Sequence, residues 1–252
     1  MTELGIEHVL VTGLATLLIA FVKGAFGGGF GLVGIPLMSL VMDPISAGAI
    51  VAPLFIPMDV MALRYFPPRT WSAPDVKILV PTAIVGIGLG TLMLSMLDTR
   101  LVSIVIAVVA LAFAANWYAG GQQIVASVRK SWHAVVAGIV SGITTMVAHS
   151  GGPPLAVYLL RLGLAKDVYV GTTTIYFLFG NAIKVWPWLY LGKPTAAMWM
   201  LIAICTPIAM FGVWLGWLVH EKLDQRRMYQ GCYFLLVLSS IKMLWDGLKG
   251  FL

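Results

Sequence analysis

Long apolar runs alternate with short polar breaks along the whole chain. The runs cover roughly 8–22, 31–42, 45–63, 76–97, 101–118, 132–147, 154–160, 168–190, 195–219 and 228–248. A membrane-spanning helix needs about 20 apolar residues, and 45–63, 76–97, 101–118, 168–190, 195–219 and 228–248 meet that length or nearly so. The runs 31–42 and 154–160 do not. Each follows a glycine-rich break, Gly27-Gly28-Gly29 in one case and Ser150-Gly151-Gly152-Pro153-Pro154 in the other. Two apolar arms joined by such a tip predict a broken, re-entrant helical hairpin that enters and leaves by one face, over 8–42 and again over 132–160.

Charge tests that topology. If both hairpins return to their own side and the six long segments cross, the loops 64–77, 119–131, 161–167 and 220–227 share one face. They hold Arg64, Arg69, Lys77, Arg129, Lys130, Arg161, Lys166, Lys222, Arg226 and Arg227, ten basic residues against Arg100, Lys193 and Lys249 on the other face. Basic residues collect in cytoplasmic loops, so this face is assigned to the cytoplasm and both termini to the outside. Counting either hairpin as a single crossing destroys the bias. The N-terminal stretch MTELGIEHVL has no basic residue before Lys23 and reads as the start of the first membrane segment rather than as a cleaved signal.

Composition agrees. Of 252 residues, 60% are hydrophobic and 10% charged, where a soluble domain carries roughly 25% charged residues. The balance excludes a water-soluble globular domain, a secreted disulfide scaffold, a disordered chain and a nucleic-acid-binding domain, and most cytosolic enzymes. The net charge of +6 then records topology rather than a polyanionic partner. Cys205 and Cys232 lie in different apolar runs and show no metal-binding spacing.

The two halves repeat. Pro81, Gly86 and Gly90 match Pro207, Gly212 and Gly216, and Leu97-Asp98-Thr99-Arg100 matches Leu223-Asp224-Gln225-Arg226, all at an offset of 126. Near the tips the offset is 118, pairing Gly24 with Gly142, Gly34 with Gly152 and Pro36 with Pro154. The expected fold is therefore an all-α integral membrane protein of two inverted-topology repeats, each a hairpin plus three transmembrane helices. The first repeat covers 1–118, a cytoplasmic linker 119–131, and the second repeat 132–252. Inverted repeats with broken helices mark transporters.

Candidate chemistry gathers at the tips. A helix broken near the midplane leaves free N–H groups at the start of its second half, with the positive dipole end facing the gap. Gly27, Gly28, Gly29 and Gly151 would let a small oxyanion approach such groups, although glycines also serve close helix packing. Lys23 precedes the first tip and either supplies a positive charge to an anion or snorkels into a cavity. Thr144, Thr145, His149 and Ser150 line the second tip as hydrogen-bond donors, and His149 is a candidate carrier of a coupled proton or a structural histidine. Asp59 and Asn181 are 122 apart and lie in corresponding spans; Lys184 is one turn from Asn181. Asp59 either pairs with a buried lysine when the site is empty or makes a helix-to-helix contact without transport meaning. Trp186, Trp188, Tyr190, Trp214, Trp217 and Trp245 read as interfacial belt residues. Gly86 with Gly90 could serve contacts within one subunit or in a homodimer.

No Walker A, HExxH, GxSxG or dinucleotide motif occurs in the sequence. No cofactor or nucleic-acid partner is expected; the expected partners are the lipid bilayer and a small anion. A membrane-embedded enzyme or redox protein using His149, Asp59 or the cysteines, and an anion channel, are the competing readings.

The segment Lys23-Gly24-Ala25-Phe26-Gly27-Gly28-Gly29-Phe30-Gly31-Leu32-Val33-Gly34-Ile35-Pro36-Leu37 resembles the first signature of the sulfite exporter TauE/SafE family of membrane permeases. Gly138-Ile139-Val140-Ser141-Gly142 through Ser150-Gly151-Gly152-Pro153-Pro154 is similar to the second. The resemblance implies a permease of the bacterial inner membrane that moves sulfite, thiosulfate, sulfoacetate or a related organosulfonate.

Overall fold

A computed structural model describes residues 5–28, 34–93, 99–120, 126–149 and 151–249. Within these the chain forms helices and turns and no strand. The helices are α1 (Ile6–Phe26), α2 (Gly34–Met38), α3 (Pro44–Tyr65), α4 (Ala73–Met93), α5 (Thr99–Ala119), α6 (Ser131–Ala148), α7 (Gly152–Leu160), α8 (Lys166–Gly192), α9 (Ala196–Lys222) and α10 (Gln225–Lys249). Five of them, α1, α3, α4, α9 and α10, are long and apolar enough to cross a membrane.

Local chemistry sets the helix ends. The carboxylate of Asp43 accepts from the N–H groups of Ile45 and Ser46 at 3.1 and 2.9 Å, which starts α3 with Pro44 in the first turn. α1 stops at Gly27, whose φ of 89° is left-handed, with its N–H bonded to the Lys23 carbonyl. α6 stops in the same conformation at His149, φ 50°, where a residue with a Cβ is unusual. The Lys166 ammonium donates to the carbonyls of His220 and Leu223 at 3.0 and 2.8 Å, so the first residue of α8 caps the end of α9.

The helices pack in a small set of pairs: α1 along α9, α6 along α4, α3 across α8 and α5 against α10. Glycines make the first two pairs close. A Cβ on Gly24 would lie 2.1 Å from the Val213 carbonyl oxygen, and one on Gly216 would lie 2.1 Å from that of Phe21. The other pair repeats the pattern: a Cβ on Gly142 would lie 2.4 Å from the Ala83 oxygen, and one on Gly86 would lie 2.2 Å from that of Ile139. Gly24 therefore plays against Gly216 as Gly142 plays against Gly86, which relates α4 to α9 by 130 residues. The P-x4-G-x3-G match gives 126, one helical turn less. Glycines spaced by four look alike after a slip of one turn, so the sequence motif alone cannot fix the register.

The four basic loops meet at one end of the bundle. Arg129 binds Asp75 through Nε at 3.0 Å, and the buried Asp75 carboxylate also accepts from Tyr158 Oη at 2.6 Å. The Ser127 N–H donates to the Arg161 carbonyl at 2.8 Å, which brings the residue after α7 back beside the residues before α6. Lys166 then links to 220–223. The helices that cover the two expected hairpins are unequal in length: α1 has 21 residues and α2 has 5, α6 has 18 and α7 has 9. At 1.5 Å per residue α1 is about 31 Å long, the thickness of a hydrocarbon layer. It does not end at Lys23, where the apolar run breaks.

Outward faces are apolar, as in the row Leu10, Leu14 and Leu18 on α1, and Trp186, Tyr190, Trp214 and Trp245 are exposed among them. Trp188 departs from the belt reading. It is buried, and its Nε1 donates to the Met146 carbonyl at 3.2 Å. Trp217 stacks on Tyr65 with centroids 4.3 Å apart. Cys205 and Cys232 are both buried free thiols.

The crossings yield a test with an internal control. Gly86→Ala forces the α4–α6 crossing apart and should destabilise the protein by about 1–3 kcal/mol, the usual scale of overpacking. A methyl group on Gly88, in the same helix, would meet nothing within 4 Å, so Gly88→Ala should be neutral or stabilising by up to about 1 kcal/mol. Thermal unfolding in detergent reads both, and equal melting temperatures for the two variants would refute the role of Gly86 in the crossing.

Candidate functional site

Four helices bring polar side chains to one place in the middle of the bundle. α1 brings Lys23, α3 brings Asp59, α6 brings Thr145 and His149, and α8 brings Asn181 and Lys184. All six are buried. A charged group at this depth needs partners, because removing it from water costs several kcal/mol.

Asp59 has them. Its Oδ1 lies 2.6 Å from the Lys23 ammonium and its Oδ2 accepts from Asn181 Nδ2 at 2.6 Å. One carboxylate thus joins α1, α3 and α8. Lys184 is placed differently: its Nζ donates to Thr145 Oγ1 at 3.1 Å and sits 4.4 Å from the centroid of the Phe55 ring. A hydroxyl and a ring face stabilise an ammonium without neutralising it. Among the described residues no carboxylate forms an ion pair with Lys184.

Lys23, Gly28, Thr145, His149, Asn181 and Lys184 line a cavity together with Ile19, Val22, Phe55 and Phe177. It is small, about 10 Å³, space for on the order of one water molecule. His149 reaches it from the left-handed end of α6, held between the ring of Phe55 at 5.9 Å and that of Trp188 at 4.4 Å. Among the described residues neither of its ring nitrogens has a hydrogen-bond partner. A buried imidazole with two unmet nitrogens, set in a strained backbone conformation beside a lysine, is unusual for a purely structural residue.

The remaining sequence candidates fall elsewhere. Thr144 donates to the carbonyls of Val140 and Ser141, within its own helix. Gly27 packs against α8, where a Cβ would strike Thr173. The Gly151 carbonyl accepts from Ser141 Oγ at 2.5 Å, away from the cavity. Gly29 and Ser150 lie outside the described residues. The start of α7 is also short of donors, because Pro153 and Pro154 in its first turn carry no N–H. The cavity wall is made largely of side chains, where the sequence pattern pointed to backbone.

Phe55 and Phe177 are additions. Lys23 Nζ lies 5.3 Å from one ring centroid and 5.7 Å from the other. They are 122 residues apart and each stands one turn before Asp59 or Asn181, the same offset that pairs those two. That spacing was the available signal, but an aromatic residue in an apolar run offers no contrast to draw attention to it.

The profile described as "Sulfite exporter TauE/SafE" matches residues 12–243, nearly the whole chain. No curated protein and no solved structure matches it. With its span-length apolar helices, the chain is an integral membrane protein that belongs to the sulfite exporter TauE/SafE family of permeases.

Proposed function

We propose that this protein is a secondary transporter for a small sulfur oxyanion, sulfite or an organosulfonate, bound between Lys23 and Lys184 and moved by alternating access. The observation that carries the reading is Lys184, a buried amine with no carboxylate at ion-pair distance among the described residues. An anion supplies what Thr145 and Phe55 cannot, a compensating charge. Asn181, Thr145 and His149 stand ready as hydrogen-bond partners for its oxygens. Asp59 holds the other ammonium, Lys23.

Two inverted repeats, 1–118 and 132–252, follow from the same reading. In its favour, exchanging α1–α5 for α6–α10 maps the pairs α1–α9 and α6–α4 onto each other and leaves α3–α8 and α5–α10 in place. The second hairpin is read as re-entrant because Ser127 and Arg161 meet at its base. The end where the basic loops meet is assigned to the cytoplasm by their charge, so both termini face outward. His149 is assigned as a proton-accepting group at the substrate. The cavity beside it is too small for a four-atom oxyanion, so binding one requires its walls to move apart.

Lys184→Met should lower sulfite flux into proteoliposomes by about tenfold or more, the worth of one charge-assisted hydrogen bond, with little change in melting temperature. Wild-type flux in that variant would remove Lys184 from the site. Lys23→Met should behave differently, because it strands the Asp59 carboxylate. Its expected penalty is about 3–5 kcal/mol, and Lys23→Met combined with Asp59→Asn should recover most of it. If the double variant melts no higher than the single one, a stranded carboxylate is not what destabilises the Lys23 variant.

A further inference from the structure

The charge of the site restricts the anion it can take. Facing the cavity are Lys23 from α1, Lys184 from α8 and His149 from α6, with Asp59 of α3 held against Lys23. With both lysines protonated, Asp59 ionised and His149 neutral, these groups carry a net charge of +1. Thr145, Asn181 and Gly28 line it as well, and the remaining walls, Ile19, Val22, Phe55 and Phe177, offer no hydrogen bond.

We propose that Asp59 is the specificity-determining residue for substrate charge: by cancelling one of two buried lysines it fits the site to a monoanion with one apolar flank, an alkyl sulfonate, and against a dianion such as sulfate. This rests on the reading of the protein as an anion transporter. A monoanion brings the site to neutrality, whereas a dianion leaves one negative charge uncompensated where desolvation is severe. The apolar walls accept a methyl or alkyl group and give nothing to a fourth oxygen. Asp59 acts through Lys23 rather than by touching the anion.

Asn is the same shape as Asp and keeps both contacts. Its amide oxygen accepts from Lys23, and its amide nitrogen donates to the side-chain oxygen of Asn181 once that amide turns over. Asp59→Asn therefore keeps both contacts but leaves Lys23 without a counter-charge, raising the charge of the site to +2 and costing stability that a bound anion restores. The test measures dissociation constants of methanesulfonate and inorganic sulfate for full-length protein in detergent, from thermal stabilisation at one pH and constant ionic strength, up to low millimolar concentrations where exclusion of sulfate from surfaces contributes little. Wild type should bind methanesulfonate at least about tenfold more tightly than sulfate, and Asp59→Asn should shift that ratio by about tenfold or more towards sulfate.

A wild-type protein that binds sulfate as tightly as methanesulfonate overturns the charge selection, whether or not the variant folds. A folded Asp59→Asn protein with an unchanged ratio overturns the role of Asp59. Binding of neither anion by wild type overturns the site reading on which the inference rests.

Discussion

Asp59 has two oxygens, and each holds a different helix. Oδ1 takes Lys23 from α1 and Oδ2 takes Asn181 from α8, both at 2.6 Å. In water such contacts would exchange freely and fix nothing. In an interior with no competing solvent, a carboxylate that loses either partner is left with an unmet charge, so the three helices are bound to one register. Lys23 is four residues from the left-handed Gly27 that ends α1. The position of the first tip is therefore set by the same carboxylate that sets the site.

Glycine contacts let that arrangement form. With Gly24 on Gly216 and Gly142 on Gly86, helix backbones touch where side chains would otherwise hold them apart. The chemistry laid over this framework is not symmetric. The position 118 residues after Lys23 is Ser141, which bonds the Gly151 carbonyl, and the position 122 residues before Lys184 is Ala62, a buried core residue. The two cations come from different helices, Lys23 from α1 and Lys184 from α8. The two glycine-lined crossings thus frame a cluster drawn from α1, α3, α6 and α8 together.

What could be read from the sequence followed contrast. Lys23, Asp59, Asn181 and Lys184 stand out because polar groups are rare within apolar runs, and all four converge in the structure. Helix ends were less legible. Hydropathy closes the first run at residue 22, yet α1 continues to Phe26 because Lys23 has an internal partner and the backbone hydrogen bonds carry on past it. The runs 168–190 and 228–248 likewise become helices over Lys166–Gly192 and Gln225–Lys249, since a helix extends into polar sequence wherever a cap or a partner satisfies its ends. Trp188 shows the opposite failure: composition cannot tell an interfacial indole from one turned inward to a carbonyl.

The smallness of the cavity has an electrical meaning. A space for about one water molecule, closed by Ile19, Val22, Phe55 and Phe177, holds no continuous file of water, and a hydrated ion cannot enter it. The Lys23–Asp59 pair further keeps the cavity from presenting two free cations. An interior sealed by packed side chains, with its ion pair satisfied internally, is an insulating one, and a protein built this way can reside in a membrane without short-circuiting the potential across it.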